Sequence, residues 1–152
     1  MEKKDVLKKI RTARREHVIW VHRAKALVNG LKIRKEQIPL KVTACEFGKW
    51  FYCDGQILLS IFTEDAIKTL ETKHKELHDI YMKIFKIYFS IPDFTLWEKL
   101  LRKKRKITAA DEHNALAYLQ NLEEVSSELI SYLNIIEKKI SRISEDDFKK
   151  YV

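Results

Sequence analysis

The sequence is poor in the residues that break helices. It holds three glycines and two prolines in 152 residues. That scarcity argues against the many short strands and tight turns of an all-β domain and favours long helices. Cysteine is also scarce, with only Cys45 and Cys53. Two cysteines do not make a disulfide framework in a chain of this size. If both lie on one helix, their Cα atoms stand about 12 Å apart, beyond the roughly 7 Å that a bridge tolerates. No stretch approaches the roughly 18 continuous apolar residues of a membrane span. The charged start, Met1-Glu2-Lys3-Lys4-Asp5, lacks the apolar core of a secretory signal. These absences point to a cytoplasmic, reducing setting with no membrane insertion.

The remainder has a soluble, globular balance. Hydrophobic residues make up 45% and charged residues 34%, and a chain of this length buries roughly 70% of its unfolded surface. The length fits a single domain over 1–152. The net charge is +8, but most lysines and arginines are interspersed with acids, which describes a solvated surface better than a nucleic-acid footprint. Only Arg102-Lys103-Lys104-Arg105-Lys106 is unbroken. It supports an alternative reading, a metal-independent helical adaptor or basic nucleic-acid binder. It has no interleaved aromatics for stacking on single strands.

Apolar residues recur at helical steps. Val6, Ile10, Ala13, His17, Trp20, Ala24 and Leu27 predict a first helix over about 5–29, with Gly30 just past its end. Residues 31–42 form a connector. Thr43-Ala44-Cys45-Glu46 reads as a capping box opening a second helix, which Asp54-Gly55 ends. Thr63-Glu64-Asp65 starts a third helix that runs to about Phe89, with Pro92 beyond it. A short helix is expected from Phe94 to about Arg105. Thr108-Ala109-Ala110-Asp111 then caps a long helix to about Ile143, its apolar positions including Leu116, Leu119, Leu122, Val125, Leu129, Leu133 and Ile136. Ser144-Glu145-Asp146-Asp147 opens a last short turn. The predicted fold is all-α, a bundle of four to five main helices.

The chemistry starts at His74-Lys75-Glu76-Leu77-His78. Four residues apart on a helix, the two imidazoles share one face about 6 Å apart and can converge on one metal. Alone, the pair is better read as two solvated histidines. It is not the metalloprotease signature, which has Glu directly after the first His; here that residue is Lys75. Cys45, at the second position of its helix, sits where the dipole favours a thiolate, although free cysteines more often serve as small buried hydrophobes. A di-metal carboxylate bundle needs two Glu-x-x-His motifs and further inward glutamates; Glu71-Thr72-Lys73-His74 supplies one motif. The enzyme reading is therefore set aside.

Cys45-Glu46-Phe47-Gly48-Lys49-Trp50, with His17-Val18-Ile19-Trp20 before it and His74-x-x-x-His78 after it, closely resembles the chemoreceptor zinc-binding domain family. The family pattern is a His with Trp three later, a Cys-x-(Phe/Leu)-Gly-Lys-Trp segment and a His-x-x-x-His pair, in this order. The likeness covers about residues 10–90; the C-terminal helices, about 94–152, are less diagnostic. The resemblance implies that His17, Cys45, His74 and His78 bind one Zn2+ through three imidazoles and one thiolate. It further implies a bacterial, often homodimeric sensory module without catalytic activity. Family members work within chemotaxis receptors and diguanylate cyclases, where zinc binding or cysteine oxidation controls output. No cyclase segment or receptor coiled coil accompanies the motif here. The expectation is thus either a stand-alone member, the favoured reading, or an excised regulatory domain, in both cases a sensor of zinc or oxidants that signals by conformational change to a partner.

Around this set, His22 lies about 140° round the helix from His17 and is rejected as a ligand, and His113 reads as a surface residue. Trp20 and Trp50 are assigned to packing around the site, and Gly48 to a close approach of helices. Lys49 is expected to cover apolar surface while its amine reaches water or a carboxylate. Cys53 is expected to pack in the core.

Overall fold

A computed structural model describes residues 2–33, 41–89 and 107–151. The expected helix at 94–105, Pro39, Pro92 and the basic run 102–106 lie outside the described residues. Among the described residues there are helices and turns and no strand. Three long helices dominate: α1 (Lys3–Val28), α4 (Glu64–Tyr88) and α5 (Ala109–Arg142). Between α1 and α4 lie a 3-10 turn (Val42–Ala44), α2 (Glu46–Phe51), a second 3-10 turn (Asp54–Ile57) and α3 (Leu58–Ile61). After α5 come α6 (Glu145–Phe148) and a closing 3-10 turn. No helix among the described residues is long and apolar enough to cross a membrane.

The helix ends follow local chemistry. Gly30 adopts φ 82°, and the amides of Gly30 and Leu31 donate to the carbonyls of Leu27 and Ala26. This paired arrangement caps α1 and needs a residue free of the Cβ penalty at that φ. Thr63 caps α4 by accepting from the Ala66 amide, Thr108 caps α5 by accepting from Asp111, and Ser144 caps α6 by accepting from Asp147. The Thr43 expectation differs: Thr43 lies inside the 3-10 turn, and the N-cap of α2 is Cys45. Glu46 does not reach back but accepts from Lys49 at 2.6 Å.

Cross-links fix the packing direction. Lys3 Nζ donates to the Ile143 carbonyl at 2.6 Å, Arg11 Nε to Glu137 at 2.5 Å and Lys25 Nζ to Glu123 at 3.0 Å. Rising numbers on α1 meet falling numbers on α5, so the two run antiparallel. Lys73 pairs with Glu128 at 2.5 Å and Lys83 lies 5.6 Å over the Tyr118 ring, so α4 is antiparallel to α5 as well. Helices α1 and α4 are therefore parallel to each other, and α5 backs both.

The buried residues of α1 are Val6, Ile10, Ala13, His17, Trp20, Ala24 and Leu27. Their alternating steps of four and three place one stripe against the neighbours, as in coiled-coil packing. His17 keeps that phase and is carried inside with it. On α4, His74 lies in phase with Leu70, Leu77, Tyr81 and Ile84. On α5, Leu119, Leu122, Val125, Leu129, Leu133 and Ile136 are buried as expected. Leu116 is not; it is 56% exposed, because one step past Ala115 turns it off the stripe.

Candidate metal centre

Three elements bring four side chains to one point. Helix α1 supplies His17, the start of α2 supplies Cys45, and α4 supplies His74 and His78. Their donor atoms all lie within 4.8 Å of one another, and the residues are only 0–3% exposed. The imidazole centroids are 4.8 Å apart for His74 and His78, 5.1 Å for His17 and His74, and 6.1 Å for His17 and His78. Cys45 Sγ stands 3.3 Å from His74 Nε2.

The surroundings orient the donors. His17 Nδ1–H donates to the Ala13 carbonyl at 2.6 Å. That bond fixes the tautomer and leaves the Nε2 lone pair facing the cluster. His17 Nε2 is buried with no hydrogen-bond partner. A buried polar atom left in this way is costly unless something else satisfies it. Trp20 packs against His17 at 4.8 Å and His78 at 5.1 Å, and Phe47 packs edge-on to His74 at 4.9 Å.

Cys45 is held by its own cap. Its sulfur accepts from the Gly48 amide at 3.1 Å and lies 3.3 Å from the Val42 carbonyl. A Cβ on Gly48 would fall 1.8 Å from the Val42 oxygen and 3.3 Å from Cys45 Sγ. Gly48 thus permits a close approach, but of the 3-10 turn rather than of a second helix. The expectation of a thiolate favoured by the helix end is corrected for the metal-free chain. Burial pushes the Cys45 thiol up to about 11, outweighing the Gly48 amide bond that pulls it down. Burial also lowers the imidazole of His17 to about 4 and that of His74 to about 2. In His74 the neighbouring imidazoles His17 and His78 add to the effect. Without a cation, His17, His74 and Cys45 are uncharged at neutral pH.

That chemistry fits a zinc ion. One sulfur and three neutral nitrogens are donors of the type that borderline-soft zinc takes. A tetrahedron with bonds of about 2.0–2.3 Å has edges of about 3.3–3.8 Å. The widest separation here closes to that range with side-chain shifts of about 1 Å.

The other expectations can be placed. His22 and His113 are exposed and outside the cluster. Trp50 is buried against Phe47 at a centroid distance of 5.9 Å. Lys49 reaches a carboxylate, Glu46. Cys53 is exposed, which corrects the core assignment: α2 ends at Phe51 and the chain turns outward. Both cysteines are free, and they flank α2 rather than share it. Glu71, the acid of the single Glu-x-x-His motif, accepts from Tyr52 at 3.1 Å and pairs with Lys75 at 2.7 Å. Its carboxyl is held below the usual range by Lys75 first, and it is not part of the cluster. The Ala13 carbonyl and the Val42 turn carry no sequence signal, since both act through backbone atoms.

Fold and cluster together define a helical-bundle domain built around four buried side chains that could hold a metal ion. The chemoreceptor zinc-binding domain family matches residues 17–85, a stretch that opens on His17 and includes all four clustered residues. The resemblance carried by the motifs therefore holds over that stretch. No curated protein and no solved structure matches the chain.

Proposed function

We propose that His17, Cys45, His74 and His78 hold one zinc ion and that the domain is a regulatory sensor of zinc or of oxidants. The carrying observation is the convergence of one thiol and three imidazoles, from three separate elements, within 4.8 Å in the core. Four protein donors complete the usual zinc coordination and leave no position for a reactive water, which favours a regulatory role over hydrolysis. Binding would draw α1, α2 and α4 to a common point and release the thiol proton. The single sulfur gives the site its oxidisable donor, and its oxidation leaves a poorer ligand. A change in how these helices pack is the signal passed to a partner protein. A reducing cytoplasm suits a site that depends on one free thiol.

Elemental analysis of the purified chain tests the reading. One zinc per chain is expected, with most affinity lost in Cys45→Ser and in His78→Ala. A chain that binds no zinc at micromolar concentration, or a Cys45→Ser variant that binds it undiminished, refutes it.

A further inference from the structure

The four donors are almost wholly buried, so a cation must pass through the protein wall to reach them. A cleft between α1 and the turn that precedes α2 is lined by Glu16, Ile19, Trp20, Arg23, Ala44 and Glu46. Given the zinc reading above, we propose that this cleft is the passage by which the divalent cation enters and leaves, with Glu16 as its transient ligand at the mouth and Trp20 as the gate.

Three observations support it. The wall between cleft and cluster is Trp20, 5% exposed, whose ring packs against His17 at 4.8 Å and His78 at 5.1 Å. That one ring separates the cleft from two of the imidazoles, and its rotation is the motion that entry requires. Ala44 and Glu46, which line the cleft, flank Cys45 in sequence, so the cleft runs beside the segment that carries the sulfur. Of the two carboxylates that line the cleft, Glu46 is paired with Lys49 at 2.6 Å, so Glu16 is the one offered to a cation at the mouth. Oxygen ligands that hold a cation briefly and are not part of the final set speed exchange in both directions. What the other grooves lack is the aromatic wall against the donors. The one between α4 and α5 carries the acids Glu76, Asp79, Glu124 and Glu128 among its lysines, and the one between α1 and α5 has Glu123 and His22 beside Val21 and Ile130. Neither includes a ring packed on the imidazoles.

The experiment is stopped-flow zinc exchange with the full chain. Uptake is measured by adding Zn2+ to the metal-free protein, and release by transfer of zinc to a chromophoric chelator. Glu16→Gln is expected to slow both uptake and release by about threefold or more, with zinc content still one per chain. Trp20→Phe, which narrows the gate ring, is expected to speed both. Glu124→Gln, in the α4–α5 groove, serves as the control and should leave both rates unchanged. Faster release from Glu16→Gln would mean that Glu16 merely stabilises bound zinc from a distance, and the passage is then wrong. Wild-type rates in Glu16→Gln also overturn it. Either result leaves the zinc site standing, whereas a wild-type chain that takes up no zinc removes the site itself. Glu16 is only partly buried on α1 and Gln keeps its size, so this variant is expected to fold and the test holds even if Trp20→Phe does not.

Discussion

Replacing Gly48 by alanine adds one methyl group to a surface that has no room for it. The new Cβ would sit 1.8 Å from the Val42 oxygen and 2.9 Å from its carbonyl carbon. Real Cβ atoms essentially never come within 3.0 Å of another heavy atom, so the Val42 oxygen must retreat by at least about 1.2 Å, the gap between those two distances. The obstacle is backbone, not the end of a flexible side chain, and the turn at Val42–Ala44 must move as a unit. That turn leads directly into Cys45, whose sulfur lies 3.3 Å from the same carbonyl. A zinc–sulfur bond tolerates only about 0.2 Å of displacement. The expected result is a loss of zinc affinity of about 10- to 100-fold, the usual effect of disturbing the groups that orient a ligand. Stability of the metal-free protein should fall less. Overpacking costs about 1–3 kcal/mol, and the better helix propensity of alanine returns up to about 1 kcal/mol. Competition against a chromophoric chelator gives the affinity, and thermal unfolding with and without zinc gives the stability. A Gly48→Ala protein with wild-type affinity would refute the claim that the turn positions the sulfur.

Two further outcomes follow from the same packing. Chelation should lower the unfolding temperature while leaving the far-ultraviolet helical signal largely intact, because Leu70, Leu122, Leu129 and other apolar residues are fully buried without any metal contact; full unfolding of the chelated chain would contradict this. The metal-free protein should also lose stability on both sides of neutrality. His17 and His74 have folded values of about 4 and about 2 against 6.5, so below pH 6.5 the unfolded chain takes up protons that the native core refuses. Stability is then lost as pH falls, by up to about 3 kcal/mol at pH 5.5 from the two groups together. Cys45 is raised from 9.0 to about 11, so the unfolded thiol ionises first and stability declines again above pH 9. Thermal melts in chelating buffers between pH 5 and 10 check this, and a profile that is flat from pH 7 down to pH 5 would refute the acid limb.

Much of the molecule was written into its order of residues. The steps of three and four placed His17 on the buried stripe of its helix, because helical periodicity is a local property of the chain. Thr63, Thr108 and Ser144 marked helix starts for the same reason: an N-cap bonds to an amide only two or three residues away. The spacing of His74 and His78 already placed two donors on one face. What these local rules could not decide was contact across the bundle. Cys45 becomes a cap and not a second helical residue because the Val42 turn folds against Gly48. Cys53 faces solvent because α2 is only six residues long. The antiparallel backing of α1 and α4 by α5, and the resulting approach of Cys45 to three imidazoles distant in sequence, depend on packing between surfaces that the sequence lists far apart. Burial then sets the protonation of those donors, since desolvation belongs to the assembled core and not to any one residue.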